Sequence, residues 1–336
     1  VNQYPVQFEK AVDDRFWGRN IFISLRSNIL YKFFKSSPDR KHVLIGKEDF
    51  LFIHQVINQE MNAIEAYRGL SLMGHDEVLQ WRNRIGSRQA QFSKMAGKKV
   101  KYYWIEYPNK ASVYSNNLPD WVNKVGPSRY EQIRDEIMLP LKDKVKFIDT
   151  RDFMIAQAAE KLIYDKTDTH FNNLGAFLTS QFVLRHIAAD FPNQEFPPLQ
   201  IEANTLNWKE ESGGDLANLI GMKHSLYESR PKEIFISSLN PSLKFLQVAR
   251  SELPEDAVWQ EVRVYHSKNS NKLKALLIFD SFGAKQLKHY APYFSEFYAI
   301  TWGNANKKNL KKIFEIFKSD IVIDQRVVRN DVIPYE

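Results

Sequence analysis

Three short apolar runs crowd the last third of the chain: LKALLIFD (273–280), FYAITW (297–302) and DIVID (320–324). Between the last two lies NKKNLKKIFEIFKSD (306–320), where Leu310, Ile313, Phe314 and Phe317 recur at i, i+3, i+4 and i+7. That spacing predicts an amphipathic helix, and the runs on either side are too short and apolar for anything but buried strands. The same alternation runs through the first half. VKYYWIEYP (100–108) and KVKFIDT (144–150) read as strands, and 61–96, 128–139, 151–161 and 172–189 as helical. A further helix is expected from Gly283, and 42–53 reads as two short strands around a turn at 46–49. Strands alternating with helices predict an α/β fold with a central parallel sheet flanked by helices. The stretch 191–254 has no clear period apart from a short helix near 215–220, so it is expected as an irregular excursion from one domain over 1–336.

Composition narrows the function. In 336 residues there are 47 Lys+Arg against 40 Asp+Glu, a net charge of +7, yet the lysines of 306–320 sit on the solvated faces of a helix. With no RNP, zinc-finger or basic-zipper signature, a nucleic-acid partner is not expected; attraction to an anionic glycan or a membrane surface is left open by the charge. The absence of cysteine excludes thiol catalysis, disulfides and thiolate-ligated metals. No apolar run approaches the ~20 residues of a membrane span. The first residue is Val1 and not Met, which sets the expectation that a signal peptide or N-terminal anchor precedes this chain.

There is no GxGxxG, no Walker A loop and no HExxH, and the eight histidines show no metal-ligand spacing, so no cofactor and no metal are expected. Two segments carry chemistry. In FDSFG (279–283) an apolar strand ends at Ser281 where a helix is expected to begin, which would hold its hydroxyl at the carboxyl edge of the sheet beside free backbone N–H groups. A serine there is either a nucleophile or an ordinary helix cap. In YDKTDTHFNNLGA (164–176), Asp168 and His170 are two apart in a polar loop. In extended backbone such residues project the same way, so the carboxylate can orient the imidazole as a base for the serine. The competing reading is an Asx-type cap with a bystander histidine. His54, His75, His224, His266 and His289 have no comparable neighbour.

Together the two segments resemble the alginate O-acetyltransferase family of SGNH hydrolase-like periplasmic polysaccharide acetyltransferases, in which the acid–base pair precedes the serine. Four stretches add to the likeness. GKEDFLFI (46–53) is similar to its G-x-x-G-W-L-F stretch and PNKASVYSNNLP (108–119) to its P-x-K-x-x-[VI]-Y-x-x-x-L-P loop. KTDTHFNNLGA (166–176) is similar to K-T-D-T-H-W-x-x-x-G-A, and SGGDLANLIG (212–221) to its G-D-L-x-x-x-L/I-G segment.

The resemblance implies an SGNH-like sheet with the catalytic motifs in permuted order, and Ser281, His170 and Asp168 as a triad that moves acetyl groups to hydroxyls of an exported polysaccharide through an acetyl-serine. It implies a polysaccharide acceptor, acetyl supplied by a membrane acyltransferase partner, and a periplasmic or other extracytoplasmic location. The Ser281 backbone, Gly303 and Asn304 are the oxyanion candidates. An acetylesterase acting on a glycan, and a glycan-binding scaffold with an idle triad, are the rival readings. Phe279 stands where the family has Gly before Asp-Ser, Asp49-Phe50 where it has Gly-Trp, and Phe171 where it has Trp. No carbohydrate-binding module is expected after 320–324.

Overall fold

The computed structural model describes residues 19–57, 61–202, 206–269 and 271–330. Five helices matter here: α1 (Arg19–Phe34), α2 (His75–Ala96), α3 (Asn173–Ala189), α4 (Asp215–Leu219) and α5 (Lys307–Ile316). Among the described residues eleven strands run from β1 (Val43–Ile45) and β2 (Leu51–Ile53) through β3 (Lys101–Tyr107), β4 (Lys146–Asp149), β5 (Trp208–Ser212), β6 (Tyr227–Pro231) and β7 (Phe245–Gln247). They continue with β8 (Val262–Ser267), β9 (Lys274–Phe279), β10 (Glu296–Thr301) and β11 (Ile321–Val327).

Seven strands form the central sheet in the order β4-β3-β11-β9-β10-β8-β7. The first five are mutually parallel, as the alternating pattern predicted. The sheet then continues beyond β10 with β8 and β7, each antiparallel to its neighbour, so it is mixed. The period of two sorts the strand residues onto two faces. Tyr103, Ile105, Tyr107, Ala275, Leu277 and Phe279 join a core that includes Leu174, Phe177 and Leu184 of α3. Tyr102, Trp104, Leu276, Ile278 and Val322 join the opposite core, with Trp81 and Ile85 of α2 and Leu310, Ile313 and Phe314 of α5. The expected stripe of α5 is the buried one, and Asn306 caps that helix by accepting from Asn309 N–H.

Some elements differ from the sequence reading. The segment 61–96 is two helices, because Gly69 adopts φ 86 and terminates Ala63–Arg68 before α2 begins. Instead of one helix, Gly283 opens a series of short turns: Gly283–Lys285, Leu287–Tyr290 and Ala291–Tyr293, the last with Pro292 in its first turn. Within 191–254 lies the antiparallel pair β5–β6 as well as α4, and β7 extends the main sheet.

Candidate active site

All five parallel strands end on one edge, where open α/β sheets place their ligands. Ser281 follows the end of β9 in a turn fixed by its neighbour. Asp280 Oδ1 accepts from Phe282 N–H at 2.9 Å, and its Oδ2 accepts from Val327 N–H at 2.8 Å and Asn330 Nδ2 at 3.0 Å. The aspartate thus ties the turn to the end of β11. Phe279 is accommodated by the glycine four residues on: a Cβ at Gly283 would lie 2.5 Å from Phe279 Cβ. Ser281 itself is exposed, and its N–H meets no acceptor among the described residues.

His170 Nε2 lies 2.9 Å from Ser281 Oγ across 111 residues of chain. On its other side His170 Nδ1 is 2.8 Å from Asp168 Oδ1, which also accepts from the His170 N–H at 2.9 Å. A carboxylate on Nδ1 fixes the tautomer with a free lone pair on Nε2, the form needed to take a proton from a hydroxyl. The capping alternatives are occupied otherwise. The helix after the loop is capped by Asn172, which accepts from Gly175 N–H, and Ser281 Oγ faces the imidazole instead of a helix end. Burial pushes the Asp168 carboxyl upward, but the hydrogen bond and charge of His170 and the His170 N–H hold it well below the usual carboxylate range.

The loop carrying this pair is held from three directions. From the end of β3, the buried Lys110 ammonium donates to the carbonyls of Asp165 (3.0 Å), Lys166 (2.8 Å) and Asp168 (2.6 Å). Burial lowers its pKa from 10.5 to about 8, opposed by Asp168, Asp215, Glu228 and Asp165. From β6, Glu228 accepts from the N–H groups of Lys166 and Thr167 and from the Thr167 hydroxyl. From α4, Asp215 accepts from Thr169 N–H at 2.7 Å and Thr169 Oγ1 at 2.5 Å, while its own N–H donates to Asp168 Oδ2 at 3.1 Å. Asp215 Oδ2 stands 3.6 Å from His170 Nδ1, a second negative charge beside the imidazole.

Packing against the loop is close. Beneath it Phe282, fully buried, meets the His170 ring at 5.0 Å, the Phe171 ring at 4.9 Å and the Arg329 guanidinium at 4.9 Å. Gly214, at the start of α4, leaves no room for a side chain: a Cβ there would fall 2.5 Å from Asp168 Cβ. The substitutions against the family pattern are filled compatibly. Phe171 is buried in the aromatic cluster, and Phe50 packs against Tyr114 with ring centres 4.9 Å apart and the rings tilted by 35°. Asp49, in place of a glycine, is held at φ 63 with its carboxylate accepting from Tyr31 OH at 3.0 Å.

Of the remaining candidates, Gly303 stands on the turn after β10. Thr301 pairs with Phe279, so Gly303 and Ser281 each lie two residues beyond a matched pair. The Asn304 carboxamide donates instead to Glu261 and Thr301, both at 2.9 Å. Asp168, His170 and Asp215 offer ligand atoms within 4.8 Å of one another, the one set in the described residues that could hold a metal. Their oxygens already accept from His170, Thr169 and Asp215 N–H groups and the Thr169 hydroxyl. Lys110, Asp215, Gly214 and Glu228 were not singled out from sequence. The first three lie inside the stretches of family likeness, which was the available signal; Glu228 had none.

The sequence model of a family described as "SGNH hydrolase-like domain, acetyltransferase AlgX" matches residues 43–244, which include Lys110, Asp168, His170 and Asp215 but stop short of Ser281. Among solved structures, Bacillus cereus PatB1 with a sulfonyl adduct aligns with a TM-score of 0.57 at 16% identity, over 86% of this chain and 94% of that one. A DHHW family protein from Eubacterium siraeum DSM 15702 aligns with a TM-score of 0.54 at 14% identity, over 85% of this chain and 94% of that one. At these identities the likeness is one of fold. No curated protein matches the chain.

Proposed function

The chain belongs to the AlgX family of SGNH hydrolase-like acetyltransferase domains, and from that premise we propose that it transfers acetyl groups to hydroxyls of an exported polysaccharide through an acetyl-Ser281 intermediate. The observation that carries this reading is the His170 imidazole seated between Ser281 Oγ at 2.9 Å and Asp168 Oδ1 at 2.8 Å. Ser281 Oγ attacks the donor's acetyl carbonyl as its proton passes to His170 Nε2, and Asp168 stabilises the imidazolium. The oxyanion is met by the Ser281 N–H, with the Gly303 backbone as the second donor. His170 then returns its proton to the leaving group. A sugar hydroxyl, deprotonated by the same imidazole, takes the acetyl group and restores the free serine. The acetyl donor comes from a membrane acyltransferase, and the setting is periplasmic.

The test is turnover of a small acetyl ester with and without an oligosaccharide acceptor, read by mass spectrometry of the glycan. Ser281→Ala and His170→Ala should each lower turnover by about 10³-fold or more. Acetylated oligosaccharide should form only with the intact serine. Hydrolysis alone across several glycans, with acetylated glycans losing acetyl, would make the protein an esterase. PatB1 carries a sulfonyl adduct; here a sulfonyl fluoride should modify Ser281 Oγ with loss of fluoride and leave Ser281→Ala unmodified.

A further inference from the structure

Helix α1 is mounted with its polar side inward. Ser27 and Tyr31 are buried, Asn28 Nδ2 donates to Ser225 Oγ at 3.0 Å, and Tyr31 OH donates to Asp49 at 3.0 Å. Gly221, at φ 70, marks the close approach: a Cβ there would lie 2.8 Å from Ile23 Cγ2. These contacts fix the rotation of the helix and turn its apolar residues to the outside. Leu25 is 55% exposed, Ile29 41% and Phe33 79%. At about 100° per residue these three form one stripe, with Lys32 on one border and Arg26 on the other. Both cations are exposed, and no acidic residue occurs anywhere in 19–38.

We propose that α1 is an interfacial helix whose outer stripe lies in the headgroup region of a phospholipid bilayer carrying anionic lipid. An apolar stripe bordered by cations suits that surface: the aliphatic and aromatic groups enter the acyl boundary while Arg26 and Lys32 meet the headgroups. A second copy fits less well, because it would bring an acid-free cationic helix against another. Through 220–225 the helix rests on the segment that follows α4, and α4 carries Asp215 against the His170 loop. The bilayer contact would therefore hold the active-site edge beside the membrane, whatever reaction that edge performs.

Sedimentation with vesicles tests this, using phosphatidylcholine alone and phosphatidylcholine mixed with phosphatidylglycerol. The wild-type chain should co-sediment with the mixed vesicles and be released by raised salt. Leu25→Ser/Ile29→Ser/Phe33→Ser should lose about tenfold in partitioning while melting as the wild type does, since these side chains are exposed. Arg26→Gln/Lys32→Gln, which keeps the apolar stripe, should bind mixed vesicles several-fold more weakly. Ser281→Ala should bind as the wild type does, which separates this proposal from the catalytic one. It is overturned if the wild type stays in the supernatant with mixed vesicles, or if the triple variant sediments undiminished. A concentration-dependent dimer abolished by the triple variant, without vesicle binding, would assign the face to a second copy instead.

Discussion

Gly214→Ala is a severe test of how Asp168, the acid of the proposed triad, is held. The backbone there has φ −77 and ψ −159, which any residue adopts, so the substitution acts through space alone. The added methyl would lie 2.5 Å from Asp168 Cβ, 2.6 Å from its Oδ2 and 2.9 Å from its Cα. Ordinary carbon contacts begin near ~3.5 Å, so about 1 Å must be found. Asp168 cannot retreat freely, because its oxygens accept from His170 and Asp215 and its carbonyl accepts from Lys110. The loop or α4 must move instead, at about 1–3 kcal/mol of stability, which is a fall of a few degrees in Tm. Under the proposed mechanism a displacement of that size at Asp168 should lower turnover by about 10²-fold. Circular-dichroism melting and turnover of a small acetyl ester measure both effects. Gly126→Ala is the control, since nothing lies within 4 Å of its Cβ position. Wild-type turnover and Tm in Gly214→Ala would refute the packing argument.

Two further outcomes follow from the loop and its floor. Because the Lys110 pKa is lowered to about 8 in the fold, the unfolded chain binds more protons between about pH 8 and its ordinary 10.5. Wild-type stability should therefore rise with pH across that window relative to Lys110→Met, measured by denaturant unfolding at several pH values; a flat difference would show that the ammonium is not strained by burial. Phe282→Ala, which empties the cluster of Tyr107, Tyr164, Phe171 and His170, should cost about 3–5 kcal/mol and lower kcat, and a loss under 1 kcal/mol would contradict the burial argument.

Most of the parallel sheet was legible because its strands are buried on both faces and so read as unbroken apolar runs, as in KALLIF of β9. The stripe of α5 was legible for the complementary reason: one face is solvated. The antiparallel pair β5–β6 was not, since WKEES is almost wholly exposed and YESRP turns charged side chains, Glu228 and Arg230, inward. β7 is three residues long, too short to show a period. β8, VRVYHS, alternates only partly, with Val262 and Val264 buried and Arg263 exposed, although it pairs on both sides. At the site, the local sequence left a helix cap and a catalytic role both open at Ser281 and at Asp168 and His170, and the family likeness singled out these three, which lie within hydrogen-bond reach in the structure. Nothing local marks Lys110 as a buried ammonium, because the carbonyls it binds lie more than fifty residues away.

Asp168 grips His170 twice, once through the ring and once through the backbone, so the orientation of the imidazole is settled within three consecutive residues. The serine is settled separately, by an aspartate that fastens its turn to the adjoining strand. Each half has its own polar ties, and where they meet at the sheet edge they share Phe282, which lies under His170 and Phe171, and Lys285, which donates to the Phe171 carbonyl. An arrangement of this kind is indifferent to translation order: the histidine piece can precede the serine piece or follow it. A circular permutant that joins the two segments in the opposite sequence would keep both internal geometries, provided the strands beneath them still pair as they do here.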